Sequence, residues 1–296
     1  AKAAKVPRRP VATICHIPLG RGRVTLGDMF SRPLLIALGL LTAAACGDDD
    51  PATRDVTLRF AAVAGDDEAS CGSVHEDVGP GADTLTVTDL RFFVSNAALI
   101  TADGRELPIR FDGEGGLSLD DVAVIDFEDG TGRCTAGDAS MQSAVSGSVE
   151  DVDAVGLRFD VGVPFERNHS DVVFAESPLN RSSLFWNWNG GYKFMRIEGT
   201  VNDDGAMIMH LGSTACAPEG DPNPSACANP NRPEVVFDAF DADTDTITLD
   251  LEALFAGLDL APADDGLDAR CQAGFDDGDC AGIFEALGLP FGDTEA

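Results

Sequence analysis

The chain has 296 residues, 44% hydrophobic and 24% charged, a composition typical of one large or two small packed domains rather than of a disordered protein. Its 20 Lys and Arg stand against 51 Asp and Glu, giving a formal net charge of −31. Such a surface repels phosphate backbones, so the composition excludes a general nucleic-acid-binding role.

The first fifty residues have the pattern of an export signal. Residues 1–28 carry no pattern and are predicted to be an unstructured upstream extension, with Met29 as the true start. Residues 29–45 join a short basic region to an apolar run and three alanines, and the run is too short to span a bilayer comfortably. We predict a lipoprotein signal peptide followed by lipid attachment at Cys46 and an acidic tether over residues 46–54. An ordinary cleaved signal with an incidental cysteine is the alternative.

The charge asymmetry sharpens when the chain is divided at Cys46. Residues 1–46 hold 7 of the 20 basic residues and one of the 51 acidic ones, which leaves 13 basic and 50 acidic residues, net −37, in residues 47–296. An exported domain with this charge raises the local cation concentration and suits docking to a partner with a basic face. Gly47 after the cysteine is compatible with the periplasmic side of an outer membrane. We therefore predict a periplasmic, lipid-anchored protein.

Six cysteines follow Cys46, an even number that suits three disulfides in an oxidising compartment. Two pairs close short loops, and the third pair is what remains. None has the Cys-x-x-Cys spacing of a zinc ribbon or a thioredoxin site, so structural bonds are favoured over thiolate metal ligands. The predicted pairs are Cys71–Cys134, Cys216–Cys227 and Cys271–Cys280.

Hydrophobic alternation with a period of two recurs from residue 56 to residue 251 and is clearest over residues 155–163. Only residues 251–258 and 281–287 have the pattern of helices, and both are short. Many short strands without long helices between them predict an all-β fold. We expect one domain over residues 55–296, a single antiparallel β-sandwich with short C-terminal helices and disulfide staples.

Three histidines follow Cys46: His75, His169 and His210. Imidazole suits copper and zinc, but three scattered histidines are a weak signal, since each is by default an ordinary core or surface residue. His210 shares no strand face with Met207 and Met209. These methionines are predicted to be core residues rather than copper ligands.

Other functions have less support. Asp241, Asp243 and Asp245 have the spacing of a calcium loop, but Thr246 replaces the required glycine and the segment continues as a strand. No nucleophile elbow, zincin motif or phosphate-binding glycine loop occurs, and a Ser-His-Asp triad is unsupported, so we predict that the chain is not an enzyme. The alternative function is a secreted structural or calcium-stabilised adhesion sandwich, in which the histidines are incidental.

Six segments, in order over about residues 55–290, carry a family resemblance. They are Thr88-Asp-Leu-Arg-Phe-Phe-Val-Ser-Asn96, Gly162-Val-Pro-Phe-Glu-Arg-Asn-His169, Ser177-Pro-Leu-Asn180, Phe185-Trp-Asn-Trp-Asn-Gly-Gly-Tyr-Lys-Phe194, His210-Leu-Gly-Ser-Thr-Ala-Cys216 and Cys227-Ala-Asn-Pro-Asn-Arg232. With these segments the chain resembles the MbnP family, the four-cysteine partners of a "metallo-mystery pair". The family's Ser-Thr-Gly-Cys is Ser213-Thr-Ala-Cys216 here, a mild departure.

The resemblance implies a periplasmic copper-binding β-sandwich encoded beside an MbnH-like di-haem cytochrome c peroxidase. In the family that partner oxidises a tryptophan to kynurenine, and Trp186 and Trp188 are the candidate positions here. His169 and His210 match motif positions, and His75 follows the first family cysteine. We predict that the three histidines converge with Trp186 or Trp188 on one copper ion.

Overall fold

The structure is a computed structural model. It describes residues 51–292, apart from Ala136, Asp138, Trp188, residues 262–268 and the side chain of Glu114. The predicted extension 1–28, the predicted signal 29–45 and the predicted lipid site at Cys46 lie outside the described residues, as does the tether up to Asp50. In the part of the chain that is described, the helices lack the length and apolar character needed to cross a membrane.

Strands dominate the described chain. The strands are β1 (Thr53–Ala64), β2 (Asp67–Glu68), β3 (Val74–Val78), β4 (Asp83–Ile100), β5 (Glu106–Pro108), β6 (Arg110–Phe111), β7 (Ser118–Leu119), β8 (Val122–Asp126), β9 (Ala144–Glu150), β10 (Gly156–Val161), β11 (Phe185–Asn187), β12 (Gly191–Tyr192), β13 (Met195–Val201), β14 (Gly205–Leu211), β15 (Thr214–Ala217), β16 (Ala226–Asn229), β17 (Glu234–Phe237), β18 (Ile247–Asp250) and β19 (Ala269–Cys271). The helices are α1 (Phe165–Asn168), α2 (Leu251–Phe255) and α3 (Ala281–Ala286), with 3₁₀ turns at Glu114–Gly116, Ser182–Leu184 and Gly278–Cys280.

Two sheets form the sandwich, which confirms the predicted all-β fold. The smaller sheet has the order β18-β1-β9-β6, and the larger has the order β17-β10-β4-β13-β14-β19. The long strand β4 also pairs with β3, β5 and β8 along its length. Pairing is antiparallel as predicted, except that β1–β18 and β14–β19 run parallel. The hairpins β11–β12 and β15–β16 form two small separate sheets.

The core lies between the two sheets and is filled by the alternating apolar side chains that predicted the strands. Phe60 on β1 contacts Phe92 on β4 and Phe159 on β10, each at 6.0 Å between ring centroids. On β14, Met207 and Met209 are fully buried in this core, as predicted. Because successive side chains of a strand point to opposite faces, His210 points away from the core.

The three predicted disulfides are the three cysteine pairs that the structure joins: Cys71–Cys134, Cys216–Cys227 and Cys271–Cys280. The two predicted helices are also present and end one to three residues early, as α2 and α3. They pack closely through Gly257 and Gly282, since a Cβ on Gly257 would lie only 2.8 Å from the Gly282 Cα. The Asp250 side chain caps α2 by accepting hydrogen bonds from the backbone of its first turn.

Candidate metal centre

A buried ion-pair network covers the face of β4 and β13 that points away from the core. Arg91 on β4 is fully buried and donates to Asp89 from Nε to Oδ1 at 2.8 Å and from Nη2 to Oδ2 at 2.5 Å. Arg196 lies directly opposite Arg91, and its Nε is 3.0 Å from Asp89 Oδ2 and 2.9 Å from Glu198 Oε1. The alternating charges allow two guanidinium groups to lie side by side away from water, where an unpaired charge is strongly destabilising.

The same network positions the segment that carries the tryptophans. Three cations converge on Ser183: Arg91 Nη1 donates to its Oγ at 3.1 Å, and Arg196 Nη1 and Lys193 Nζ donate to its carbonyl oxygen at 3.0 and 3.4 Å. Strand β11 begins two residues later and contains Trp186. Charges in the sheet therefore hold the base of this segment in place. Trp188, the other candidate for oxidation, lies outside the described residues.

Trp186 packs against His210. The two rings meet edge to face, with centroids 6.3 Å apart and 84° between their planes. Gly212 makes room for the indole, because a Cβ there would lie 3.1 Å from Trp186 Cε3 and 2.8 Å from the Tyr192 carbonyl oxygen. An open pocket of about 250 Å³, lined by Trp186 and residues 213–215 among others, borders the indole. The tryptophan is therefore held against the histidine and still borders solvent.

His210 has one ring nitrogen that is hydrogen-bonded and one that has no partner among the described residues. Its residue is 7% exposed, Nε2 lies 2.7 Å from Glu198 Oε1, and Nδ1 is buried with no hydrogen-bond partner among the described residues. Burial lowers the pKa of His210, although the hydrogen bond to Glu198 opposes this shift. Burial would raise the pKa of Glu198, but hydrogen bonds from His210 and Arg196 lower it to about 2. A neutral imidazole that donates Nε2–H to a carboxylate leaves the Nδ1 lone pair available, as in metal-bound histidines.

His169 is connected to the same segment through its neighbour Asn168. The Asn168 side chain accepts from the Tyr192 backbone at 2.9 Å and donates to the Gly190 carbonyl at 3.2 Å. The His169 ring packs edge-on against Phe165, with 5.0 Å between ring centroids. Its Nε2 lies 3.7 Å from the Sγ of Cys227, which is bonded to Cys216. Both His169 and His210 are thus tied to the β11–β12 hairpin, by Asn168 and Trp186 respectively.

The structure does not bring His75 to this region. His75 pairs with Leu85 of β4 and shares its core-facing side, whereas His210 pairs with Arg196 and lies on the opposite face. Leu85 lies beside His75, and Arg91 lies in line with His210 across β13. These two positions are separated by about 17–20 Å along β4. His75 is buried, and its Nε2 is 2.7 Å from Ser73 Oγ. His75 and His210 therefore cannot ligate one ion, contrary to the predicted convergence of all three histidines.

Two groups of three metal-ligating side chains occur in the described part of the chain. They are His169 with Cys216 and Cys227, and Glu128 with Cys71 and Cys134. Each includes a disulfide, so neither offers thiolates in the oxidised protein. The acidic residues 241–245 form no such group among the described residues.

Sequence reasoning missed three residues that position this site: Glu198, Asn168 and Gly212. A signal for Glu198 existed, because a hairpin turn centred on Asp203 places Arg196 opposite His210 and brings Glu198 within reach of the ring. Asn168 and Gly212 act on residues distant in the chain, and their own surroundings in the sequence do not indicate this.

Comparison with known proteins identifies the family of this chain. The MbnP family profile matches residues 53–272, a span that contains Trp186, His169 and His210. The chain belongs to the MbnP family. Among solved structures, MbnP from Methylosinus trichosporium is similar to it with a TM-score of 0.69 and 32% sequence identity, over 82% of this chain and 91% of that one. No curated protein matches the chain. The resemblance predicted from the six segments is confirmed.

Asp126 extends the network of this MbnP-family protein onto a third strand. It lies opposite Arg91 on β8, is fully buried, and its Oδ2 has no hydrogen-bond partner among the described residues. Burial raises its pKa to about 7, against the opposing effects of the Glu128 backbone N–H and Arg91. The folded protein therefore holds the Asp126 proton far more tightly than the unfolded chain does.

This shift predicts a pH-dependent stability. The contribution of protonated Asp126 is complete below the unfolded pKa of 3.8 and is lost as the pH rises through the folded value of about 7. We expect Asp126→Asn to flatten the fall in the free energy of unfolding between about pH 4 and pH 7 by roughly 1–4 kcal/mol. Urea unfolding at several pH values measures this, with the exposed Asp66→Asn as control. An unchanged pH profile in Asp126→Asn would contradict the assignment.

Proposed function

We propose that this MbnP-family chain is a periplasmic copper-binding protein, anchored by lipid at Cys46, that acts in copper handling and is not itself an enzyme. The observation that carries the proposal is the buried Nδ1 of His210. It has no hydrogen-bond partner among the described residues, and the ring is oriented by Glu198 and packed against Trp186. Family membership, with the copper-handling role that it suggests, favours copper as the ion.

The side chains present fit copper. Neutral imidazole is a good ligand for copper, and the carboxylate behind His210 is the usual outer partner of a metal-bound histidine. His169 is the second proposed ligand, because Asn168 ties it to the hairpin that Trp186 belongs to. Met207 and Met209 point into the core and are excluded as ligands. Copper would be bound by imidazole nitrogens at a partly buried site, in a domain with a large negative charge.

A tryptophan next to His210 supports the further proposal of oxidation to kynurenine by an MbnH-like di-haem peroxidase. Trp186 borders an open pocket and touches the His210 ring, so its oxidised form would present an aryl amine and a ketone next to the imidazole. Trp188 remains the alternative position. The net charge of −37 over residues 47–296 favours docking of a partner with a basic face.

Substitution of the histidines tests the metal site. We expect His210→Ala and His169→Ala each to weaken Cu(I) binding by more than about 100-fold, beyond the 10–100-fold typical of losing an outer-shell partner. Met207→Leu, on the other face of the same strand, should bind as the parent protein does. Competition with a chromophoric Cu(I) chelator measures all three. Equal loss in Met207→Leu, or parental affinity in His210→Ala, would show that the ligand set is wrong.

One peptide map of the protein isolated from its native host tests both processing steps. The N-terminal peptide is expected to begin at an acylated Cys46. The peptide that contains Trp186 and Trp188 is expected to have gained one oxygen and lost one carbon, the mass change from tryptophan to kynurenine. The same protein expressed without a peroxidase partner is the control and should keep both indoles. A free Cys46 thiol would reject the anchor, and two intact indoles in the native protein would reject the oxidation.

A further inference from the structure

The Cys71–Cys134 disulfide joins two loops of unequal exposure. Cys71 lies in a turn before β3 and is half-buried, whereas Cys134, in the loop between β8 and β9, is 1% exposed. Thiol–disulfide exchange proceeds by attack of a thiolate on one sulfur, and the other sulfur leaves with the negative charge. A reductant can reach Cys71 more readily, so Cys134 would be the leaving group.

A buried carboxyl group lies beside this disulfide. Glu128 is fully buried, and one of its carboxylate oxygens is within 4.8 Å of the sulfur atoms of both Cys71 and Cys134. Its Oε1 accepts from the Gly130 backbone at 3.1 Å, while its Oε2 has no hydrogen-bond partner among the described residues. A buried, unpartnered carboxylate oxygen is costly, and such groups are often retained for redox or catalytic roles.

We propose that Cys71–Cys134 is a redox-active disulfide that exchanges electrons with a dithiol, and that Glu128 transfers the proton to and from Cys134. The inference does not depend on the copper site. A dithiol is the chemical class of the partner, because it can both open the bond and release itself by closing its own disulfide.

The reaction balances as follows. A thiolate of the dithiol attacks Cys71 Sγ, forming a mixed disulfide and breaking the Cys71–Cys134 bond. Cys134 leaves with the electron pair and takes the proton of the Glu128 carboxyl group, which regains a proton from solvent. The second thiol of the reductant, after losing its proton, attacks its own mixed-disulfide sulfur and releases Cys71 as a thiolate that is protonated by solvent. One disulfide and one dithiol are consumed, and one of each is formed.

Two features of the surroundings support this role. Burial raises the pKa of Glu128, which favours the protonated form needed for donation; Arg91 and the Gly130 N–H oppose this shift. The other charged groups nearby are Asp89 on β4, Asp126 on β8 and Asp129 in the same loop. Without a proton donor, a thiolate on the buried Cys134 would be an uncompensated buried charge.

The fold has contacts that would survive opening of the bond. The turn at Cys71 is also held to β4 by hydrogen bonds from Gly72 N to Val87 O at 2.9 Å and from Val87 N to Ser73 O at 3.0 Å. Cys134 Sγ lies 3.9 Å from the same Val87 carbonyl, which gives a reduced thiol an acceptor. Local reduction without unfolding is therefore expected.

The test is timed reduction of the intact oxidised protein with dithiothreitol near pH 7, with glutathione disulfide in the same tube as a reference. Alkylation and peptide mass spectrometry follow each disulfide, and circular dichroism follows the fold. We expect Cys71–Cys134 to open at least about tenfold faster than the fully buried Cys271–Cys280, with the circular dichroism unchanged. Opening of all three bonds together, with loss of the folded spectrum, would show a purely structural disulfide.

Glu128→Gln isolates the proton transfer, since it keeps the shape of the side chain and removes the acid. It should slow opening of Cys71–Cys134 by at least about 100-fold, the low end for general acid catalysis, and leave the rate at Cys216–Cys227 unchanged. An unchanged rate at Cys71–Cys134 would refute the role of Glu128. If the variant does not fold, the parent protein supplies the test. Its rate of opening Cys71–Cys134, divided by the rate of glutathione disulfide reduction, should fall as the pH rises. A ratio that stays constant over about pH 5–8 would refute the role of Glu128.

Discussion

The rest of this site depends on two arginines that lie side by side, the fully buried Arg91 and the mostly buried Arg196. Each is neutralised by a carboxylate two residues away on its own strand, Asp89 and Glu198, and Asp89 is shared between them. Strand geometry makes this possible, since residues two apart share a face and paired strands bring the two faces together. Loss of Asp89 would remove the carboxylate that pairs with the fully buried Arg91, a change that is typically destabilising by about 3–5 kcal/mol, whereas loss of Glu198 would leave Arg196 paired with Asp89.

The network positions two residues of the candidate metal centre. Through Ser183 it holds the turn that leads into Trp186. Through Glu198 it orients His210, whose remaining ring nitrogen is left buried and without a partner among the described residues. The ion-pair network is thus connected to a site where the His210 imidazole and the Trp186 indole are held together. The ion pairs of the sheet therefore also position the residues of the candidate site.

Sequence patterns predicted the parts of this molecule that depend on local periodicity. Strand alternation placed Met207 in the core and His210 on the other face, and loop length indicated two of the three disulfides. The failure at His75 has a physical reason: its place depends on which strand β3 pairs with and in which register, and neither is encoded in residues near His75. Asn168 acts across 24 residues on Tyr192 for the same reason. Which residues meet at a site depends on long-range strand register, and local sequence patterns do not reveal that register.

The protonation state of His210 in the metal-free protein is the most direct measurement of this arrangement. Long-range ¹H–¹⁵N correlation spectra, assigned by comparison with His210→Ala, distinguish the two ring nitrogens. With Glu198 accepting from Nε2 and burial favouring the neutral ring, Nε2 should carry the proton and Nδ1 should be unprotonated near pH 7. A proton on Nδ1, or a doubly protonated ring at that pH, would contradict the account, because Nδ1 would then have no lone pair for copper.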